Sequence, residues 1–287
     1  MSAASYAIYR KSVQQLMQKD QRLPSLPAQT LRIREALSSE TINHKRLGEL
    51  ISQDPSLVMR IMREVQSPIY LTQEKPSTLF NAMRLLGLEN LERIAVLHGL
   101  KSLFLFRNPR LQKLFDAAWK RQSFKAAISR LLARELGYRP IDEAVVTSLL
   151  TEVGTLVILS ALTDEIDTPD LASYFKLCDE YSQSLGSIIL RKWDIGEQYL
   201  EAIKHNGQWN YVSTAPAGQL ALTDLVNLAL YHSIALRNKN PQLPPLQSLP
   251  LFQYIPTTYR AQGSKGMLTL VTQNLQEILD DTKRMMR

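Results

Sequence analysis

Apolar side chains recur every three to four residues along much of the chain, a spacing that places them on one face of an α-helix. The clearest example follows Asp54-Pro55, where Leu57, Ile61 and Val65 share one face. Aspartate can cap the free amides of a first helical turn, and proline at the first position loses no needed hydrogen bond. We therefore predict a helix that begins at Pro55.

The same periodicity predicts helices along most of the chain, separated by prolines and short polar segments. Gly87 is expected to end one helix in a left-handed conformation, and Ser39 or Thr41 to cap another. Residues 241–250 are too rich in proline for a regular helix. The other predicted helices cover about residues 4–19, 28–37, 77–86, 90–104, 111–136, 141–159, 171–180, 184–193, 197–205, 219–235 and 268–285.

Composition supports a mostly helical fold and does not demand a charged partner. Only 11 of the 287 residues are glycine, and good helix formers dominate the sequence. The formal charge of +7 permits contact with nucleic acid or an anionic membrane, but 27 acidic residues are scattered among the 34 basic ones. The helix predicted after Gly87 is too apolar to read bases. We therefore do not expect nucleic-acid binding.

The sequence carries no sign of export or of a membrane span. Cys178 is the only cysteine, so no internal disulfide can form. The N-terminal residues 1–20 mix charged and apolar side chains and lack the apolar core of a signal peptide. The longest apolar runs, such as residues 156–159, are far shorter than the ~20 residues that cross a bilayer. We expect a cytoplasmic protein.

Candidate catalytic groups are few. The chain has no GxGxxG, P-loop or GxSxG motif, and we expect no cofactor. It has four histidines, and none is followed by aspartate. His98 lies in an apolar helical pattern and is expected to be a hydrogen-bonded core residue, whereas His44 and His232 are expected at surface or cap positions. His205 is treated with the motifs below.

Residues 148–154 form an apolar helical segment in which two polar residues, Thr151 and Glu152, stand side by side before Gly154. The segment resembles the core helix of the HD phosphohydrolase superfamily, whose active members carry adjacent His and Asp there to hold a metal. Threonine is a poor ligand, and one carboxylate does not make a hydrolytic metal site. The resemblance therefore implies a fold that has kept its shape without the chemistry.

Several motifs follow one another in the order seen in the HDOD family, the bacterial HD-related output domains. They are Leu23-Pro24-Ser25-Leu26-Pro27, the ISQDPSL of residues 51–57, Gln66-Ser67-Pro68, the AMRLLGL of residues 82–88, residues 148–154, and Leu185-Gly186 with Leu190 and Trp193. The resemblance covers roughly residues 23–235. It implies an all-α fold, a multi-helix HD-like bundle.

The resemblance also implies a division of the chain. It gives an N-terminal helix at residues 1–22 and an HDOD domain at residues 23–235, followed by a proline-rich segment and a C-terminal helix at residues 236–287. The HDOD domain would have a helical half, residues 23–108, and an HD-like half, residues 109–235. Whether the C-terminal helix packs on the domain or on a second copy of the chain is left open.

Carried over residue by residue, the metal-ligand positions of the HD superfamily fall on side chains that are mostly unsuited to metals. The first histidine position falls at Gln122 or at Arg121, and the His-Asp pair falls at Thr151 and Glu152. Of these, only Glu152 is a good ligand. The other positions fall at Ser182, at His205 followed by Asn206, and at Leu230. We interpret all six positions as vestiges and expect no bound metal.

The resemblance implies a non-catalytic signalling scaffold that binds a protein partner or a signalling ligand. Relatives often carry a receiver, GGDEF or EAL domain; this sequence shows none, so we expect the partner to be a separate protein. The alternative is a metal-dependent phosphohydrolase with an atypical site built from Glu152, His205 and Gln122. Such a site would need three or more good ligands.

Overall fold

The computed structural model describes residues 3–17, 28–37, 43–66, 76–102, 108–139, 141–162, 169–193, 196–213, 219–239, 241–263 and 266–286. Within these ranges the chain forms thirteen α-helices and three short 3₁₀-helices. Their one β-bridge joins Gln262 to Leu268 and is isolated. The expected all-α fold is confirmed.

The α-helices are α1 (Ala3–Met17), α2 (Ala28–Leu37), α3 (His44–Ser52), α4 (Pro55–Val65), α5 (Leu79–Ser102), α6 (Pro109–Glu135), α7 (Ile141–Leu150), α8 (Val153–Ala161), α9 (Leu171–Lys192), α10 (Glu197–Lys204), α11 (Leu222–Arg237), α12 (Thr269–Gln273) and α13 (Leu275–Met286). The 3₁₀-helices are Leu246–Ser248, Pro250–Tyr254 and Thr257–Tyr259.

One compact unit comprises Pro24–Leu105. Its helix α4 begins where the sequence predicts, because the Asp54 carboxylate accepts hydrogen bonds from the backbone amides of Ser56 and Leu57 at 2.9 and 3.1 Å. Gly87, which was expected to end one helix, has a φ of 74°, and its non-helical backbone forms a kink within α5. The core of the unit is formed by the apolar faces of α2 to α5.

The second compact unit comprises Met1–Leu23 and Phe106–Arg287. Helix α6 is its longest, and α7, α11 and α13 pack against it, while α8 packs along α9. Helix α1 packs against α8 and α9. The terminal helices α1 and α13 therefore belong to the same unit as α6 to α11, and α13 finds its packing surface within its own chain.

Three helices differ from the sequence-based prediction. The helix expected over residues 141–159 is broken between α7 and α8, where the Glu152 amide bonds to the Leu149 carbonyl three residues back, at 3.2 Å. The two helices expected over residues 171–193 are continuous in α9, since no helix breaker separates them. The last helix is divided at Asn274, whose side-chain amide caps the Leu270 carbonyl.

Some expectations fall on other positions or outside the described residues. Helix α3 is capped by Asn43, whose side chain accepts from the Arg46 amide at 3.0 Å. The predicted caps Ser39 and Thr41 lie outside the described residues, as do residues 23–27 and 67–68 of the family motifs.

Among the described residues, one stretch is long and apolar enough to cross a membrane. It covers Glu143–Ala161, 19 residues, and 94% of it is buried inside the fold. Its composition accords with its place at the centre of the unit, where α7 and α8 pack against α6. The sequence pattern underestimated its length because threonine, serine and the single charged residue Glu152 interrupt the apolar run after Glu143.

Candidate functional site

The site is built from α6 and from the turn that joins α7 to α8. Arg121, Gln122 and Lys125 lie within about one turn of α6, so they present side chains to the same neighbours. Thr151 and Glu152 form the turn between α7 and α8. We call these five residues the Lys125–Glu152 cluster. They bring together three of the six positions that the family resemblance singles out.

Lys125 lies at the centre of the cluster and is almost completely buried. Its side chain is 1% exposed. The ammonium donates to Thr151 Oγ1 at 2.5 Å and to Glu152 Oε1 at 3.2 Å. The Thr151 hydroxyl in turn donates to the Ser148 carbonyl at 2.8 Å. Burial lowers the pKa of Lys125, and the charge of Glu152 opposes that shift.

Glu152 is the buried anion of the cluster, with a side chain that is 5% exposed. Burial by itself would raise the pKa of this carboxyl, but the positive charges of Arg121 and Lys125 lower it to about 2. Arg121 Nε lies 3.7 Å from Glu152 Oε2, on the side away from Lys125 Nζ. Glu152 is therefore ionised at neutral pH and held between two cations.

Gln122 braces α6 against the start of α8. Its amide nitrogen donates to the Glu152 carbonyl at 3.1 Å and to Thr155 Oγ1 at 2.8 Å. The Thr155 hydroxyl donates to the same Glu152 carbonyl at 2.6 Å. Gln122 is buried, so these bonds satisfy a donor that water cannot reach. Its amide thus serves as a structural tie across the break between α7 and α8.

The outer side of the cluster is formed by Arg121. Its guanidinium lies 3.3 Å from Asp179 on α9 and 5.1 Å from the centre of the Phe175 ring. The charge of Glu152, opposed by burial, raises the pKa of Arg121. Asp179 is 67% exposed, so its ion pair is screened by solvent and weaker than the buried one.

Ser182 has a packing role in the structure. A Cβ atom on Gly154 would lie 1.9 Å from the Ser182 carbonyl oxygen. Only glycine lets α8 approach the backbone of α9 this closely. The glycine of the segment 148–154 is thus explained by the contact between these two helices, whereas the Ser182 side chain makes no hydrogen bond to the cluster among the described residues.

His205 lies in the turn after α10, and Leu230 on α11 packs against the same turn. The His205 ring stacks on Tyr211 with centroids 4.0 Å apart, and its Nδ1 lies 2.8 Å from Gln208 Oε1. Asn227 on α11 donates to the His205 carbonyl at 2.9 Å, and Leu230 packs beside Gly207. In the described part of the chain, no hydrogen bond or ion pair connects His205 to the Lys125–Glu152 cluster.

The histidine predictions are partly wrong. His98 is hydrogen-bonded as expected, with Nε2 2.9 Å from Asp54 Oδ2 and 3.1 Å from Ser56 Oγ, but it is partly exposed and not in the core. His232, expected at a surface or cap, is completely buried in α11. Its ring nitrogens have no hydrogen-bond partner among the described residues, and burial lowers its pKa to about 3. The residues before and after His232 in α11 are mostly apolar, and this pattern could have indicated its burial from the sequence.

Lys125 was missed by sequence reasoning. It stands in the run Phe124-Lys125-Ala126-Ala127-Ile128, on the face that α6 buries. A lysine in such a position needs a buried acceptor, because an unpaired charge is very costly inside a protein. Glu152, in an equally apolar segment, is a carboxylate with the same need. The sequence therefore contained a signal: two opposite charges, each in an apolar helical segment, could have been predicted to form a buried ion pair.

The side chains do not fit the divalent metal that an HD-type fold implies. Among the described residues, no three His, Cys, Asp or Glu side chains converge closely enough to hold a metal ion. In the cluster Glu152 is the one good ligand, and both of its oxygens face cations of the protein. A hydrolytic metal site needs more ligands than this.

Comparison with known proteins gives distant matches over different shares of their lengths. An uncharacterised protein of Treponema pallidum (strain Nichols) is 21% identical over 196 residues, 64% of this chain and 38% of that protein. The chain therefore spans about two-fifths of the length of that curated relative.

Solved structures share the fold. A Shewanella amazonensis SB2B protein provisionally named a metal-dependent phosphohydrolase has a TM-score of 0.72 and 18% identity, with 99% of each chain covered. A Marinobacter aquaeolei VT8 protein provisionally named a signal transduction protein has a TM-score of 0.62 and 15% identity, over 99% of this chain and 66% of that one.

The family is shown by a match to the HDOD domain over residues 23–209, well over half of the chain. This range includes α2 to α10 and every residue of the Lys125–Glu152 cluster. The chain belongs to the HDOD family of regulatory domains.

Proposed function

We propose that this protein is a non-catalytic regulatory module that acts in bacterial signalling by binding a partner protein, and that it does so in the cytoplasm. The supporting observation is that the side chains at the three ligand positions in the cluster are already engaged in hydrogen bonds and ion pairs within the protein. Gln122 is a hydrogen-bond donor to the backbone, the Thr151 hydroxyl is bonded to Lys125, and Glu152 is paired with two cations. None of them is available to activate water.

The likeness in fold to the Marinobacter protein supports a signalling role, as does membership of the HDOD family. The rival function, a metal-dependent phosphohydrolase, is favoured by the provisional name of the Shewanella protein. Sequence identities of 18% and 15% support a shared fold, but they do not support a shared reaction or binding partner. The side chains of the cluster therefore weigh more in the choice than either name.

Activity and metal content separate the two functions. Purified chain should release no product from bis-p-nitrophenyl phosphate when Mn²⁺ is added, and Glu152→Gln should behave identically. Manganese-stimulated hydrolysis that disappears in Glu152→Gln would establish the phosphohydrolase instead. Stoichiometric iron, manganese or zinc in protein purified without added metal would point the same way.

Partner binding needs a test of its own. Tagged chain should capture the same protein from bacterial extract with and without a chelator, because the proposed contact needs no metal. Met59 and Phe80 are apolar side chains that are 60% and 54% exposed, so we expect Met59→Ser and Phe80→Ser to fold and to be suited to mapping the contact. Failure to retain any protein, together with Mn²⁺-dependent hydrolysis, would reverse the proposal.

A further inference from the structure

We propose that the Lys125 ammonium is the resident cation of this site, where it ties α6 to the turn between α7 and α8 and keeps divalent metal ions out. This inference goes beyond the proposed function, because the chain could bind a partner protein whether lysine or a metal ion occupied the cluster. Its tests measure ion binding and unfolding, so its failure would be distinct from a failure to find a partner.

Position is the first support for this inference. Lys125 Nζ lies 2.5 Å from Thr151 Oγ1 and 3.2 Å from Glu152 Oε1, inside the hydrogen-bonding shell of both oxygens. A divalent metal bound to the same oxygens would sit roughly 2.0–2.6 Å from each, in the volume that the ammonium fills. The lysine and a metal ion therefore cannot occupy the cluster together.

Charge is the second support. Glu152 is the only buried carboxylate in the cluster, and Lys125 and Arg121 both face it. Two cations against one anion leave a positive excess before any ion arrives. Asp179 offsets part of the charge of Arg121, but it is largely in solvent. A divalent ion at Glu152 would be repelled at close range by both side chains, in a part of the protein where screening is weak.

The mechanical role follows from the chain positions that the ammonium connects. Lys125 belongs to α6, whereas Thr151 and Glu152 form the break between α7 and α8. At this break the regular helical ladder gives way to backbone bonds that span three residues, from the Glu152 amide to the Leu149 carbonyl and from the Thr155 amide to the Glu152 carbonyl. Side-chain bonds from α6 add to these. Gln122 supplies two of these bonds from α6, and Lys125 supplies the two that carry charge.

The metal-exclusion claim is tested by adding ligands with and without the lysine. Gln122→His, Thr151→His and Glu152→Asp together install good ligands at the three positions of the cluster. We expect this triple variant to bind Mn²⁺ at least roughly a hundredfold more tightly when Lys125→Ala is added, measured by calorimetry. Equal affinity in the two proteins, or binding in neither, would overturn the claim.

A double-mutant cycle tests the tie itself and does not depend on whether the ligand variants fold. Lys125→Met keeps the length of the side chain and removes its charge, and Glu152→Gln keeps the shape of the carboxyl. Each single change should lower the melting temperature by roughly 6–20 °C, and the double change should lower it by clearly less than the sum. Strictly additive shifts would show that the two groups are not coupled, which contradicts the proposal.

Discussion

Both compact units contain several polar side-chain pairs between helices, and two of these pairs, one from each unit, differ in burial. In the Pro24–Leu105 unit, Asp54 and His98 lie 2.9 Å apart with side chains that are 27% and 18% exposed. In the other unit, Lys125 and Glu152 lie 3.2 Å apart and are shut away from solvent. A solvated pair contributes little, whereas breaking one half of a buried pair leaves a charge that water cannot reach.

The contrast also separates two uses of polar side chains. Asp54 works mainly as a helix cap, and His98 adds a contact to it. In the buried pair, neither residue caps a helix by a side-chain bond; each exists in the core because the other is there. We therefore expect the first arrangement to tolerate the loss of one member better than the second.

The largest effect is expected from Glu152→Leu. It leaves the ammonium of Lys125 buried without its carboxylate, which should lower the free energy of unfolding by about 3–5 kcal/mol. All three tryptophans, Trp119, Trp193 and Trp209, lie in the unit that contains the pair, so urea unfolding followed by tryptophan fluorescence reports on it. Addition of Lys125→Met should restore much of the loss; a double variant no more stable than Glu152→Leu would be evidence against the pair.

A second effect is expected at His232, a buried side chain whose ring nitrogens have no hydrogen-bond partner in the described part of the chain. His232 has a pKa of about 3 in the folded protein against 6.5 for an ordinary histidine, so the unfolded chain binds the proton more readily. Stability should be constant above pH 6.5 and fall as the pH drops, by about 2 kcal/mol at pH 5. His232→Leu should remove this slope, which urea titrations at pH 7 and 5 would detect; an unchanged slope would refute the assignment.

Glu152 should act over a lower pH range than His232. Its pKa of about 2 lies below the ordinary value of 4.5, so its contribution is complete above pH 4.5 and is lost as the pH falls toward 2. In a His232→Leu background, the remaining loss of stability between pH 4.5 and 2 should shrink when Glu152→Gln is introduced. Acid titration of tryptophan fluorescence measures both variants.

A smaller effect is expected at the partly exposed pair of Asp54 and His98. Asp54→Ala removes the cap of α4 and the contact with His98, at a cost of about 1 kcal/mol. This unit has no tryptophan, so hydrogen exchange of the α4 amides is the suitable measurement. Asp54→Asn keeps the capping oxygen and should recover most of the loss. A cost equal to that of Glu152→Leu would remove the distinction between the two pairs.

The smallest effect is expected from Asp179→Ala, on the solvent side of Arg121. The ion pair is screened, so the free energy of unfolding should change by less than about 0.5 kcal/mol. Fluorescence-monitored unfolding of this variant beside Glu152→Leu compares two carboxylates that face the same arginine. A loss of similar size in both would mean that burial is not the deciding factor.

The difference between the pairs also explains what could be predicted from the sequence. Asp54 binds amides two and three residues away, so the cap and the helix it begins are local and were predicted correctly. The left-handed Gly87 is local in the same way. The spacing of apolar residues predicted most of the helices, because each helix has an apolar face that can be recognised within its own sequence.

The cluster could not be predicted to the same depth, because its contacts join residues far apart in the chain. Lys125 and Glu152 are separated by 27 positions, and the residues around each one do not indicate which distant residue it contacts. The break between α7 and α8 depends on Gln122, 30 positions earlier. The family resemblance brought Gln122, Thr151 and Glu152 into view, but the cation between them became visible only in three dimensions.

The most direct test of the central claim is a calorimetric titration of the unmodified chain, stripped of metal by a chelator, with Mn²⁺ at neutral pH. Because Lys125 already neutralises Glu152, we expect no saturable binding up to about 1 mM, an affinity weaker than about 4 kcal/mol. One tightly bound ion per chain, lost in Glu152→Gln, would contradict it.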